Sequence, residues 1–124
     1  MKIIKKEEAL RTVKPEGIEV WYYLRDEYEF HYNEQAAGST QTWHHHDKIL
    51  ETIFIFEGEL TAEWKKNGEV KKQIVKAGDF IETENTPHTF INHSDKKVRF
   101  IVVKQILSGK NKREILKNDK VIDE

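Results

Sequence analysis

Cysteine is absent from the 124 residues, which removes disulfides, thiolate catalysis and Cys-based zinc or iron–sulfur sites together. No apolar run approaches the roughly 18 residues that a membrane-spanning helix needs. The start MKIIKKEEAL lacks the apolar stretch of a signal peptide. A cytoplasmic protein with no membrane partner is therefore expected. Neither sign of charge is in excess: Lys plus Arg number 21 against 22 Asp plus Glu, a net charge of -1. Nucleic-acid binders usually carry a clear basic surplus, so nucleic acid is not an expected partner. Proline occurs only twice, at Pro15 and Pro87. Internal repeats and low-complexity segments are missing as well. What remains is enough for one folded domain: 37% of the chain is hydrophobic, with six phenylalanines, four tyrosines and three tryptophans.

The pattern divides the chain into a lead-in over 1–17, a β-rich body over 18–107 and a charged tail over 108–124. In the lead-in, Ile3-Ile4 suggests an edge strand and KKEEALRTV a brief helical turn. The body holds short β segments: IEVWYYL (18–24), YEFHYNEQ (28–35), STQTWHHH (39–46), ETIFIFE (51–57), LTAEWK (60–65), EVKKQIV (69–75), DFIET (79–83), HTFIN (88–92) and KVRFIVVKQIL (97–107). Residues 28–35 alternate, with Tyr28, Phe30 and Tyr32 on one face and Glu29, His31 and Asn33 on the other. Asn67-Gly68 signals a two-residue type I′ hairpin and Glu57-Gly58-Glu59 another turn. Gly78-Asp79 and Asn85-Thr86-Pro87 mark further changes of direction. Short antiparallel strands so spaced predict an all-β sandwich or barrel. The tail, with its sparse Ile115, Leu116, Val121 and Ile122, is expected to dock as a helix or edge strand, or to fray.

Six histidines are present, three of them consecutive at 44–46. On a strand His44 and His46 share a face while His45 points away, so the first two are close enough to bind one ion. Glu51 opens the apolar TIFIF run, where a carboxylate is costly to bury unless paired or metal-bound. A third imidazole must come from elsewhere, and His88, just after a turn, is the best placed. Three neutral imidazoles and a carboxylate suit one divalent transition metal: Fe, Mn, Ni, Co, Cu or Zn. His31 and His93 are read as structural or surface residues, and His45 as outward.

Gly38, five residues, His44, one residue, His46, four residues, Glu51, six residues and Gly58 resemble the first motif of the cupin superfamily. The stretch from Gly78 through Pro87-His88 to Asn92 resembles its second motif, with His88 and Asn92 at the family spacing. It departs in having Glu84-Asn85-Thr86 for the family's Pro-x-Gly and in being one residue short. Asn85 is expected to take the left-handed conformation in the glycine's place. The resemblance implies a small antiparallel β-barrel of the jelly-roll type, with His44, His46, Glu51 and His88 as metal ligands. It names no reaction, since this family spans dioxygenases, decarboxylases, isomerases and binding modules. The leading expectation is a metal-dependent enzyme, of dioxygenase type or an isomerase or decarboxylase, acting on a small oxygen-rich molecule. The alternative is a non-catalytic module that binds or senses a small ligand. Tyr32 and Gln41, with Trp43 and Phe90, are the candidate auxiliary groups. A homodimer is expected, with Ile3-Ile4 and Trp21-Tyr22-Tyr23 covering sheet edges.

Overall fold

A computed structural model of the chain describes residues 1–106 and 112–123. Among these residues eleven strands run in chain order: β1 (Leu10–Lys14), β2 (Ile18–Leu24), β3 (Tyr28–Gln35), β4 (His44–His46), β5 (Leu50–Glu57), β6 (Glu59–Lys66), β7 (Glu69–Lys76), β8 (Phe80–Glu82), β9 (His88–Ile91), β10 (Val98–Gln105) and, after helix α1 (Lys112–Asn118), β11 (Lys120–Ile122). They form a six-stranded sheet, β1-β2-β3-β10-β5-β8, and a five-stranded sheet, β11-β4-β9-β6-β7, with every pairing antiparallel. This is the all-β architecture the pattern predicts, in the jelly-roll form the resemblance implies. No ladder joins the two sheets into a closed barrel among the described residues. No helix of the described residues is long and apolar enough to cross a membrane.

Turn chemistry sets the register. Asn67 and Gly68 take φ of 52° and 79°, the paired positive values of a type I′ turn, and β6 and β7 pair from Lys66↔Glu69 onward. Gly58 has φ 90°, and a Cβ there would lie 2.9 Å from Val98 Cγ2. That close approach, and not only the turn, explains why glycine ends the first motif. The lead-in differs from the expectation. A 3₁₀ turn covers only Lys6–Glu8, and the following Leu10–Lys14 is extended as β1 against β2. The β-branched pair Thr12-Val13 favours strand over helix once β2 offers an edge. Ile3 and Ile4 lie in no strand.

Apolar side chains fill one half of the space between the sheets: Ile53, Ile55, Leu60, Val75, Phe90, Val98, Phe100 and Val102 form one core cluster. A second, smaller cluster brings Ile49 and Ile106 under Leu116 of α1. Of the expected tail, residues 107–111 and 124 lie outside the described residues; α1 docks through Leu116, and β11 pairs with β4.

Candidate metal centre

Strand alternation turns His44 and His46 inward and leaves His45 on the opposite face. Next to them, β9 pairs His88 with His44 in register, and Glu51 enters at the start of β5. All four are buried: His44 is 7%, His46 1%, Glu51 5% and His88 4% exposed. One ligand atom from each of His44, His46 and Glu51 lies within 4.8 Å of the others, close enough to hold a metal ion. His88 Nε2 stands 3.3 Å from Glu51 Oε1 and His46 Nε2 3.1 Å from Glu51 Oε2. The ring centroids of His44 and His88 are 4.5 Å apart.

Two of the imidazoles are oriented from behind. His44 Nδ1 donates to the Thr42 carbonyl at 2.7 Å, and His88 Nδ1 to the Thr86 carbonyl at 2.6 Å. Each bond fixes the tautomer that leaves an Nε2 lone pair facing inward. The atoms on the inner side are not satisfied by one another. Both ring nitrogens of His46, Oε1 of Glu51 and Nε2 of His88 are buried without a hydrogen-bond partner, since the close contacts are badly aligned. Buried polar atoms are rarely left so, and a cation between them would take one nitrogen of His46, Oε1 of Glu51 and Nε2 of His88, with His44 beside them. The donor set therefore fits the group. Burial alone would raise the carboxyl of Glu51, but the imidazoles of His46 and His88 outweigh it and hold it well below the usual carboxylate range. Burial, then the neighbouring His88, push His44 down to about 4, so it is neutral and able to ligate at pH 7.

The surrounding loops are tied down by polar side chains. Asn85 has φ 57°, as expected, and Glu84 shares the conformation at 51°. The Asn85 amide donates to the carbonyls of His46 and Ile49, the latter at 3.1 Å, so the shortened segment is stapled to the metal loop itself. Asn92 donates to the carbonyls of Gln35, Ala36 and Lys96, a scaffold role for the last position of the second motif. Asp119, 9% exposed, accepts from the amides of Asp47 at 3.0 Å and Lys48 at 3.1 Å. Its carboxylate also stands 3.7 Å from His46 Nδ1. It lies in the tail and carries no signal in sequence that links it to the histidines.

Of the auxiliary candidates, Gln41 lines the interior and bonds Gln35 through its amide at 3.0 Å, and Phe90 lies edge-on to His88. Tyr32 does not reach the site: it sits on the outer face, bonded to Glu34 and stacked on Phe56. Trp43 sits under the Lys65 ammonium. His93 is exposed. His31 is not at the surface. It is 4% exposed, faces the interior, and bonds Glu29 at 2.7 Å, while Arg113 of α1 holds the other oxygen of that carboxylate. Thus β3 buries Glu29, His31, Asn33 and Gln35 and turns Phe30 and Tyr32 outward, the reverse of the usual hydrophobic-in order. That inversion is the signal of a polar interior.

Two spaces adjoin the cluster. A cleft of about 760 Å³ reaches His88 and Phe90 past Trp64, Ile81, Thr83 and Thr86. On the other side a polar pocket of about 40 Å³ meets His44 and Glu51.

The family model described as "Cupin domain" matches residues 28–104. No curated protein gives a match. Among solved structures, the chain is similar to an oxalate oxidase (18% identity, TM-score 0.68, covering 84% of this chain and 59% of that one). It is also similar to a B. subtilis oxalate decarboxylase (13%, TM-score 0.76, 97% and 32%). A third is a sugar phosphate isomerase from Silicibacter pomeroyi (16%, TM-score 0.69, 84% and 75%). At these identities the likeness is one of fold.

Proposed function

This chain belongs to the cupin family, and from that premise we propose that it is a metal-dependent enzyme: it holds one divalent transition metal on His44, His46, Glu51 and His88 and uses it to turn over a small oxygen-rich molecule. The observation that carries the reading is the set of buried, unsatisfied ligand atoms converging on one space. A metal so ligated supplies Lewis acidity and, if redox-active, electron transfer to a bound substrate. Everything else is the work of the chain. Thr42 and Thr86 carbonyls hold the imidazoles at a fixed angle, which lowers the reorganisation needed on binding. Glu51 supplies the one anionic ligand, and the apolar cluster of Ile53, Phe90, Phe100 and Val102 forms the packed interior beside the site. The cleft past Trp64 and Phe90 opens the His88 side of the centre to solvent and small molecules.

The related folds carry an oxidase, a decarboxylase and an isomerase, so the fold alone leaves the reaction open; oxidative turnover is our choice among them. The 1:1 metal content expected after reconstitution is measured by elemental analysis, and turnover by oxygen uptake and product analysis over enediol, catechol and small-acid substrates. Glu51→Gln is expected to weaken metal binding and abolish turnover. Failure to bind metal sinks the reading, and ligand binding without turnover under Fe, Mn, Ni or Cu makes the protein a binding module instead.

The outward aromatic face of the six-stranded sheet, with Phe54 40% and Phe56 42% exposed, supports a homodimer. Tyr22, by contrast, packs inward against His31 and is no part of that face.

A further inference from the structure

The interior has a second polar set that metal ligation does not use. On β10, Lys104 pairs in register with Glu51 of β5 on one side and Glu29 of β3 on the other. Both carboxylates are engaged elsewhere: Glu51 lies against the imidazoles, and Glu29 is held by His31 and Arg113. Lys14 and Lys120 line the same pocket of about 40 Å³. Among the described residues none of these three ammonium groups has a carboxylate within 4.0 Å, while Glu16 on the same wall spends its carboxylate on the Thr42 amide. Asn33, only 7% exposed, lines the same pocket and leaves its Oδ1 without a partner. Burial lowers the lysine pKa of Lys104, with Glu51 acting the other way.

Three cationic donors and one orphaned acceptor around a small space beside His44 and Glu51 describe a ligand with an anionic end and an adjacent O–H. A pocket of about 40 Å³ holds only about three or four waters, at roughly 10–15 Å³ of probe volume each, so the ligand is short. We propose that this pocket recognises a short-chain hydroxycarboxylate, its carboxylate taken by Lys104 with Lys14 and Lys120, and its hydroxyl donating to Asn33 Oδ1. The assignment names the substrate class of the metal site and rests on that reading.

Calorimetric titration of the metal-loaded protein with glycolate, acetate, acetamide and inorganic phosphate tests it, with the metal content of each sample measured. Glycolate is expected to bind more tightly than acetate by about 3–10-fold, the worth of one neutral hydrogen bond, and acetamide not at all. Lys104→Met should weaken both carboxylates by about tenfold or more with metal content unchanged. Asn33→Leu should erase the preference for glycolate while sparing acetate. If Lys104→Met does not fold, Lys14→Met combined with Lys120→Met must still lower glycolate affinity. Equal binding of acetamide, tighter binding of phosphate than of glycolate, or unaltered glycolate binding in the lysine variants overturns the assignment. Those results leave the metal reading standing if the metal content is intact. A protein that takes up no metal yet binds glycolate through Lys104 fails the metal reading alone.

Discussion

Asp119 offers the sharpest test of how the centre is held. Its two oxygens accept the amides of Asp47 and Lys48, at 3.0 Å and 3.1–3.2 Å, and so fix the loop that joins His46 to Glu51. Asparagine in its place keeps one acceptor and turns an N–H₂ toward the other donor. One hydrogen bond to a charged group is lost, about 1.5–3 kcal/mol for a buried pair. The metal-free loop then relaxes, and binding must re-order it. At about 1.4 kcal/mol per tenfold, Asp119→Asn should weaken metal affinity by about 10–100-fold, the range typical of groups that orient ligands. Competition against a chromophoric chelator gives the affinity, and hydrogen exchange at Val121 and Ile122 shows whether β11 stays on β4. An affinity within about threefold of wild type, with β11 still docked, refutes the reasoning: the loop would then be held by Asn85 and its own backbone.

Acid should destabilise the metal-free protein. His44 is depressed to about 4 from 6.5, so below pH 6.5 the unfolded chain binds the extra proton. Stability is whole above that value and falls by up to about 3 kcal/mol as pH drops toward 4; urea midpoints at pH 7, 5.5 and 4.5 measure it, and His44→Gln should flatten the dependence. His45→Ala should leave metal content unchanged, because that ring faces away and bonds Asp123 at 2.7 Å and Asp47 at 2.9 Å. It should cost less than about 1 kcal/mol in thermal stability; metal loss as complete as in His46→Ala would disprove the facing argument. His93→Ala should behave as wild type in metal content. Light scattering at micromolar concentration should give about twice the 14.7 kDa of one chain, and a monomer mass would remove the face of Phe54 and Phe56 as a dimer contact.

The strands, the Asn67-Gly68 turn and the left-handed Asn85 were legible because each is written in adjacent residues. The convergence of His44, His46 and Glu51 was legible for the same reason, being a matter of parity on one short strand and of the brief loop that leads to the next. Parity also separated Glu29, His31 and Asn33 from Phe30 and Tyr32, but a period of two does not say which face is inside. Hydrophobicity would have answered wrongly here, since β3 packs its polar face against the pocket. Asp119, Arg113 and Lys104 act on the site through tertiary contacts from distant strands and the tail, and no local spacing encodes those. The lead-in is not legible in this way, because its charged helix formers carry no sign of the pairing edge that β2 supplies to Leu10–Lys14.

The strand order has a kinetic side. β10 lies between β3 and β5, and β4 is flanked by β9 and β11, so each wall of the centre needs partners far apart in the chain. Such non-local closure makes for slow folding, and the four ligand residues meet only when it is nearly complete. A cation that binds the finished cluster and not the open chain then deepens the native basin by mass action. Its dissociation becomes a step on the way to unfolding. In this molecule the rate at which metal escapes to a chelator in excess should track the opening of the sheets, so that a property of the centre reports on the lifetime of the whole fold.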